Sequence, residues 1–337
     1  MEKKRIVWVD FLNIFACISV VSLHCNGYAH TFAHDCAWTQ AILFETVFFS
    51  AVPIFFMLSG ATLFNYKDRY TTAEFYKKRY TKTLIPYIVF GIGLYTLYFF
   101  KHSAQTAEPF NIHHFLSSML TGQIPYANYW FFIPLFILYL FIPLIEKLVT
   151  KSSIQELALL ASLVFFFKAI IPVINSVTNW DITQSTPIGG YCIYAILGYI
   201  LAKTNVEKNA RVIWALCALT IILWGIRYTA IWNSTERVTL WFDYFGLYSV
   251  VPAVTFFLLA KKANSWFDLH QGLSKKASTL SSLSFGVYLT HGIVLAMLPF
   301  TKDSFSYRII GIPIVYISCC IIVFVLKKIP FVQKIVP

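Results

Sequence analysis

The chain has 337 residues, 58% of them hydrophobic and only 12% charged, with a mean hydropathy of +0.66. Soluble domains are about 25% charged, so this composition excludes an ordinary soluble globular protein and places most of the chain in lipid. The formal charge of +12 does not call for nucleic acid, because its distribution along the chain has a topological explanation.

A membrane-crossing helix needs about 20 mostly apolar residues. In chain order the predicted spans cover residues 6–25, 44–64, 83–100, 129–146, 154–172, 188–202, 211–226, 243–260, 282–300 and 307–326, the sixth and seventh being short. The first is not expected to be a cleavable signal peptide. It is too long, lacks a small-residue cleavage site and begins with the polar Asp10. Of the 27 Lys and Arg, 21 fall in segments on one side of these spans. Lys101, Arg227, Arg237, Lys302 and Arg308 fall on the other side, and Lys168 lies within the fifth span. That asymmetry predicts an even number of spans with both termini cytoplasmic. The expected fold is an all-α, polytopic transmembrane helix bundle of about ten spans, one domain over 1–337. No internal repeat is visible, and no segment outside the spans is long enough for a soluble domain.

The first span carries Asp10, Asn13, Cys17 and His24, at spacings of 3, 4 and 7. At helical pitch these four lie within a sector of about 60°. One face of an apolar helix is therefore polar and must turn toward protein or a water-filled cavity. Asp10 and His24 stand about 21 Å apart along the axis, so Asp10 cannot orient His24. Glu45 and Asp35 are the candidate partners by depth. With an unperturbed pKa near 6.5, a histidine here suits general-base work; packing at a helix end is the competing reading.

The loops are less specific. His30, His34 and Asp35 fall in the first outside loop (26–43), and His102, His113 and His114 in the second (101–128). Their spacing does not suit a metal site, and none is expected. Cys25 and Cys36 flank the first loop, which leaves a disulfide open. The inside loop 65–82, NYKDRYTTAEFYKKRYTK, is the most basic segment. It reads either as an anchor on anionic head groups or as a cradle for an anionic cofactor.

Five segments, in this order, resemble a known family. WVDFLNIFACISVVSLH (8–24), VPIFFMLSG (52–60), KKRYTKTLIPY (77–87), NYWFFIPLFILYLFIPLI (128–145) and SFGVYLTH (284–291) are together similar to the integral-membrane acyltransferase 3 family. The resemblance implies transfer of an acyl group, usually acetyl, from cytoplasmic acyl-CoA (acetyl-CoA as co-substrate, no metal). The acceptor would be a hydroxyl of a cell-surface polysaccharide, lipid-linked sugar or related envelope glycan, and the setting the plasma membrane. It implies His24 as the catalytic histidine; Glu45, a candidate partner by depth, is its expected carboxylate. Arg79 and Lys82 would meet the CoA phosphates, with Asn13 lining the donor path. Asp10, Trp130 and His291 are the expected substrate-side residues; for His291, a local polar network with Ser284 and Tyr288 is the simpler account. Two positions depart from the family pattern. Asn13 stands where a basic residue is usual, and Lys82 stands where Arg is usual, which keeps charge but loses bidentate phosphate recognition. A transporter or flippase of an envelope precursor is the competing class, with Pro53, Pro134, Pro143 and Pro252 as its candidate helix breaks.

Overall fold

The computed structural model describes residues 6–106, 109–182, 186, 190–298, 304, 306–330 and 332–336, the side chains of 102–106 and 334 apart. Lys3, Lys4, Arg5 and Lys302 lie outside the described residues, as do the side chains of His102 and Lys334. The helices are α1 (Val7–Cys25), α2 (Cys36–Phe48), α3 (Ala51–Leu63), α4 (Thr72–Thr106), α5 (Ile112–Thr121), α6 (Phe132–Lys151) and α7 (Ile154–Phe165). There follow α8 (Ile171–Thr178), α9 (Cys192–Lys203), α10 (Ala210–Trp232), α11 (Leu247–Lys262), α12 (Asn264–Leu269), α13 (Gln271–Met297) and α14 (Ile312–Leu326). The described residues contain no strand.

Nine helical stretches among the described residues are long and apolar enough to cross a membrane. The expected sixth span is present as α9, an apolar helix of 12 residues, or about 18 Å. The architecture is thus the polytopic helix bundle that the composition requires.

Three expectations are corrected in detail. The second span is two helices, α2 and α3, divided at Phe49–Ser50 just before Pro53. The basic stretch 72–82 is not a loop: it is the first part of the 35-residue α4, so Arg79 and Lys82 stand on a helix. Helix α10 runs to Trp232, six residues past its expected end, and takes Arg227 into the span.

The chain divides into two compact units. One comprises Met1–Phe64, Leu144–Ser282 and Phe300–Ile312. Its tightest contact is between α3 and α9, where a Cβ on Gly60 would collide with the backbone of Ala195 and one on Gly198 with the backbone of Met57. Small residues permit this approach, and in lipid close van der Waals packing is the principal force between helices. Helix α7 begins with a capping box, Ser153 and Glu156 each satisfying the other's backbone N–H.

The other unit comprises Asn65–Pro143, Leu283–Pro299 and Pro313–Pro337. A row of tyrosines on α4 ties it together. Tyr76 donates to the Leu140 carbonyl (2.9 Å), Tyr80 to that of Phe136 (3.3 Å), Tyr87 to that of Met119, and Tyr95 pairs with His114 Nδ1 (2.7 Å). Each hydroxyl thereby gains a hydrogen-bond partner while its ring packs. Gly122 ends α5 at φ 72°, and a Cβ there would meet the backbone of Trp130.

Two π-helical turns interrupt the spans, at Phe166–Ile170 and Tyr307–Gly311. In each, proline follows two residues after the turn, Pro172 and Pro313. Proline lacks an N–H and its ring crowds the carbonyl four residues back, here those of Lys168 and Ile309. A wider turn relieves that conflict. In contrast, α6 and α11 continue through Pro143 and Pro252.

Candidate functional site

The polar face of α1 resolves into two parts. Near the start of the helix, Asp10 is buried and accepts a hydrogen bond from Ser278 Oγ at 2.6 Å. Asn13 Nδ2 donates to the Ser281 carbonyl (3.1 Å) and to Ser281 Oγ (2.9 Å). Both helices place these residues three apart, on one face each, so the seam between α1 and the first part of α13 is polar and paired.

The second part lies at the other end of α1. His24 occupies the last turn, half-buried. The helix stops at Cys25, and the next residue, Asn26, is fully buried and joins three segments of the chain. Its Nδ2 donates to the Ala41 carbonyl (2.8 Å) and, more weakly, to Glu45 Oε2 (3.4 Å). Its Oδ1 accepts from Arg308 Nε at 3.0 Å. One amide thereby links the end of α1, helix α2 and the second π-turn. Arg308 also donates to the Ser304 carbonyl (3.3 Å) and faces the Tyr28 ring at 5.6 Å.

Arg227 completes the group. It is fully buried, with Nη1 on the Glu45 carbonyl (2.8 Å) and Nε on the Trp241 carbonyl (2.9 Å). Its guanidinium lies 4.1 Å from the Phe49 ring centre and 5.1 Å from that of Tyr248. Within the described residues its Nη2 has no hydrogen-bond partner. Two buried guanidinium groups and one buried carboxylate are thus linked through Asn26 and the Glu45 backbone, and such groups persist at depth only when geometry and hydrogen bonds compensate desolvation.

Asp35 does not join this group as a partner for histidine. Its Oδ1 caps α2 through the Trp38 N–H (2.6 Å) and its Oδ2 accepts from the Tyr28 hydroxyl (2.5 Å). The Tyr28 hydrogen bond, then that of Trp38, holds its carboxyl below the usual range, with Arg308 adding a smaller pull. Of the two carboxylates expected by depth, Glu45 is the one held by Asn26. Cys25 and Cys36, which the sequence left open as a disulfide, are not bridged to each other.

The remaining expected residues belong to the other unit. Arg79 is half-buried, hydrogen-bonded to the Tyr139 hydroxyl and 6.0 Å from the Phe75 ring. Its Nε is buried with no hydrogen-bond partner among the described residues. Lys82, one turn on, is exposed. Trp130 is half-buried just before α6. His291 is buried in α13, its Nδ1 2.7 Å from the Tyr288 carbonyl and its ring 5.4 Å from that of Tyr288. The Tyr288 hydroxyl donates to the Asn128 carbonyl (2.7 Å), and Tyr129 to the Leu289 carbonyl.

Sequence reasoning does not find Asn26, Arg227 or Arg308. Charge counting assigns both arginines to the outside, Arg308 at the very start of the predicted span 307–326, whereas both lie within candidate spans and are fully buried. An unbroken apolar run through Trp232 is the available signal for Arg227. Asn26 carries none, since an asparagine after a helix end is common.

A family model described as an acyltransferase domain, that of acyltransferase 3, matches residues 6–328. No curated protein and no solved structure matches the chain.

Proposed function

Because the chain belongs to the acyltransferase 3 family, and is therefore a multi-pass membrane acyltransferase, we propose that it moves an acyl group, acetyl in the first instance, from cytoplasmic acyl-CoA to a hydroxyl of an envelope glycan or lipid-linked sugar. The observation that carries this reading is the family match over nearly the whole chain; the histidine expected from the sequence, His24, stands two residues from the buried Asn26 that holds Glu45 and Arg308.

In this reading His24 takes the proton of the acceptor hydroxyl as its oxygen attacks the thioester carbonyl. The new C–O bond forms, the C–S bond breaks, and the CoA thiolate leaves with the proton that His24 returns. Glu45 favours the transient imidazolium by charge. Its own position is held by Asn26 on the carboxylate and by Arg227 on the backbone, so little reorganisation accompanies the proton transfer. Arg79 and Lys82 hold the CoA phosphates. Asp10, Trp130 and His291 are assigned to the substrate and Asn13 to the donor, and Asp10 and Asn13 also tie α1 to α13. Both termini and the basic start of α4 are cytoplasmic, in the plasma membrane. A transporter is the competing class, and the family match favours group transfer over it.

The test uses the purified full-length protein in nanodiscs with radiolabelled acetyl-CoA and extracts of membrane lipid and polysaccharide. Wild type is expected to move label into one extract component, and His24→Ala is expected to move none while inserting and melting normally. Transfer by His24→Ala at the wild-type rate would remove His24 from the chemistry.

A further inference from the structure

The first π-turn borders a cavity that the transfer reaction does not use. Its volume is about 420 Å³, and it lies within one unit, between the Phe166–Ile170 turn, α10 and the segment leading into α11. Its walls are mostly apolar, with Val173, Leu223 and Ile226 among them. Ile226 is also half exposed on the outer surface of α10, in line with the exposed Leu219 and Ile222. The cavity is therefore reached from the side that meets lipid chains.

Two charged side chains line it, Lys168 and Asp243. Within the described residues Lys168 makes no hydrogen bond or ion pair. Among the described residues, the Asp243 carboxylate accepts only the Phe245 N–H, at 3.0 Å. Opposite charges that share a cavity in a low-dielectric setting gain strongly by pairing. These two are held apart, each with bonding capacity unused. Intramembrane lysines are rare and mark functional positions, and single π-turns are frequent at such sites.

We propose that this cavity binds one lipid whose headgroup joins a phosphate to a hydroxyl-bearing group. The phosphate accepts from the Lys168 ammonium, a hydroxyl donates to Asp243, and an acyl chain lies against Val173, Leu223 and Ile226. Charge complementarity selects the phosphate, the carboxylate selects the donor beside it, and the opening beside Ile226 selects a lipid over a soluble phosphate. The site adjoins the buried arginine through its own wall. Trp241 and Tyr248 line the cavity, and Arg227 bonds the first and faces the ring of the second. A lipid seated here presses on Trp241 and Tyr248, the neighbours of the arginine that holds the Glu45 carbonyl.

The probe is phosphatidylglycerol, added to delipidated full-length protein in detergent and counted by native mass spectrometry. One molecule per chain is expected to saturate. Phosphatidylcholine, with phosphate but no donor, is expected to bind more weakly, and diacylglycerol, with a hydroxyl but no phosphate, not to bind. Lys168→Met is expected to weaken phosphatidylglycerol about 10- to 100-fold, the loss of one charge-assisted hydrogen bond, while Lys168→Arg keeps most of the affinity. Asp243→Asn is expected to erase the preference over phosphatidylcholine. Should Lys168→Met fail to fold, Val173→Trp, which fills the cavity, is expected to abolish the single site. Equal binding by wild type and Lys168→Met or Val173→Trp, or binding without saturation, would overturn the proposal. Soluble glycerol phosphate competing as well as the lipid would also overturn it. The outcome is independent of whether His24 transfers acyl groups.

Discussion

The two π-turns are built alike and end differently. Each is five residues long, each is followed by proline at the same distance, and each carries one cation into a span, Lys168 in the first and Arg308 in the second. Arg308 is 1% exposed and is tied to Asn26, Ser304 and Tyr28. Lys168 is half-buried and lines an open cavity. A proline-driven turn therefore sets where a charge enters the bundle without setting what the charge does there. That is decided by the groups brought from elsewhere in the chain. A planar guanidinium suits the fixed, forked arrangement at Asn26, and a flexible ammonium suits a ligand that comes and goes.

The largest test of this contrast is Arg308→Met. The variant leaves Asn26 Oδ1 buried without its donor and removes a charge-assisted hydrogen bond, a loss of about 3 kcal/mol of stability. Because Asn26 also holds Glu45, acyl transfer is expected to fall far more than stability alone requires. The check is kcat for acyl transfer at a temperature where the variant is still folded by circular dichroism. A folded Arg308→Met protein with wild-type kcat would reduce the Asn26 network to packing.

Lys168→Met is expected to act with the opposite sign. An unpaired cation in a span is unfavourable, and here it is only half-buried, so its removal should stabilise the lipid-free protein by about 1 kcal/mol. The gain is expected to vanish when phosphatidylglycerol is added, because ligand binding then stabilises wild type alone. Melting curves of the two proteins with and without the lipid measure both effects. A destabilised lipid-free variant would show that Lys168 has a structural partner and that the two turns are not different in kind.

Much of this is legible in the sequence. Hydropathy locates nine stretches that reappear as candidate spans and a tenth that reappears as the short α9. The 3-4-7 spacing places Asp10, Asn13 and His24 on one face of α1, and Asp10 and Asn13 do turn to protein. What periodicity cannot supply is the partner. Ser278 and Ser281 lie 268 residues away from Asp10 and Asn13, and Arg308 lies 282 residues from Asn26. No local pattern encodes such pairings. Charge counting fails at Arg227 and Arg308 for a related reason: it treats a cation near a span end as solvated, and burial depends on carbonyls and amides contributed by distant segments. Proline reads as a breaker at four positions, yet the π-turns stand before two others. The consequence of a proline depends on whether the preceding turn can widen, and one-dimensional reading does not include that freedom.

The smallest expected effect tests how far the Arg308 charge reaches. Asp35 is exposed, and its carboxyl is held below the ordinary value of 3.8 chiefly by the Tyr28 hydroxyl and the Trp38 N–H, with Arg308 contributing a lesser attraction. The depressed value in the folded state fixes the sign. The unfolded chain binds the proton first, so the stabilisation from ionised Asp35 is fully present above pH 3.8 and fades as the pH falls below it toward the lower folded value. Asp35→Asn keeps a good helix cap and removes the titration. Its melting temperature is therefore expected to fall less steeply than that of wild type as the pH drops from about 5 to about 3. Arg308→Met, which leaves Tyr28 and Trp38 in place, is expected to flatten the same slope only slightly. A slope unchanged by Asp35→Asn would move the acid sensitivity to another carboxylate. A slope abolished by Arg308→Met would reverse the order of causes at Asp35, making the buried arginine the main force on that surface carboxylate.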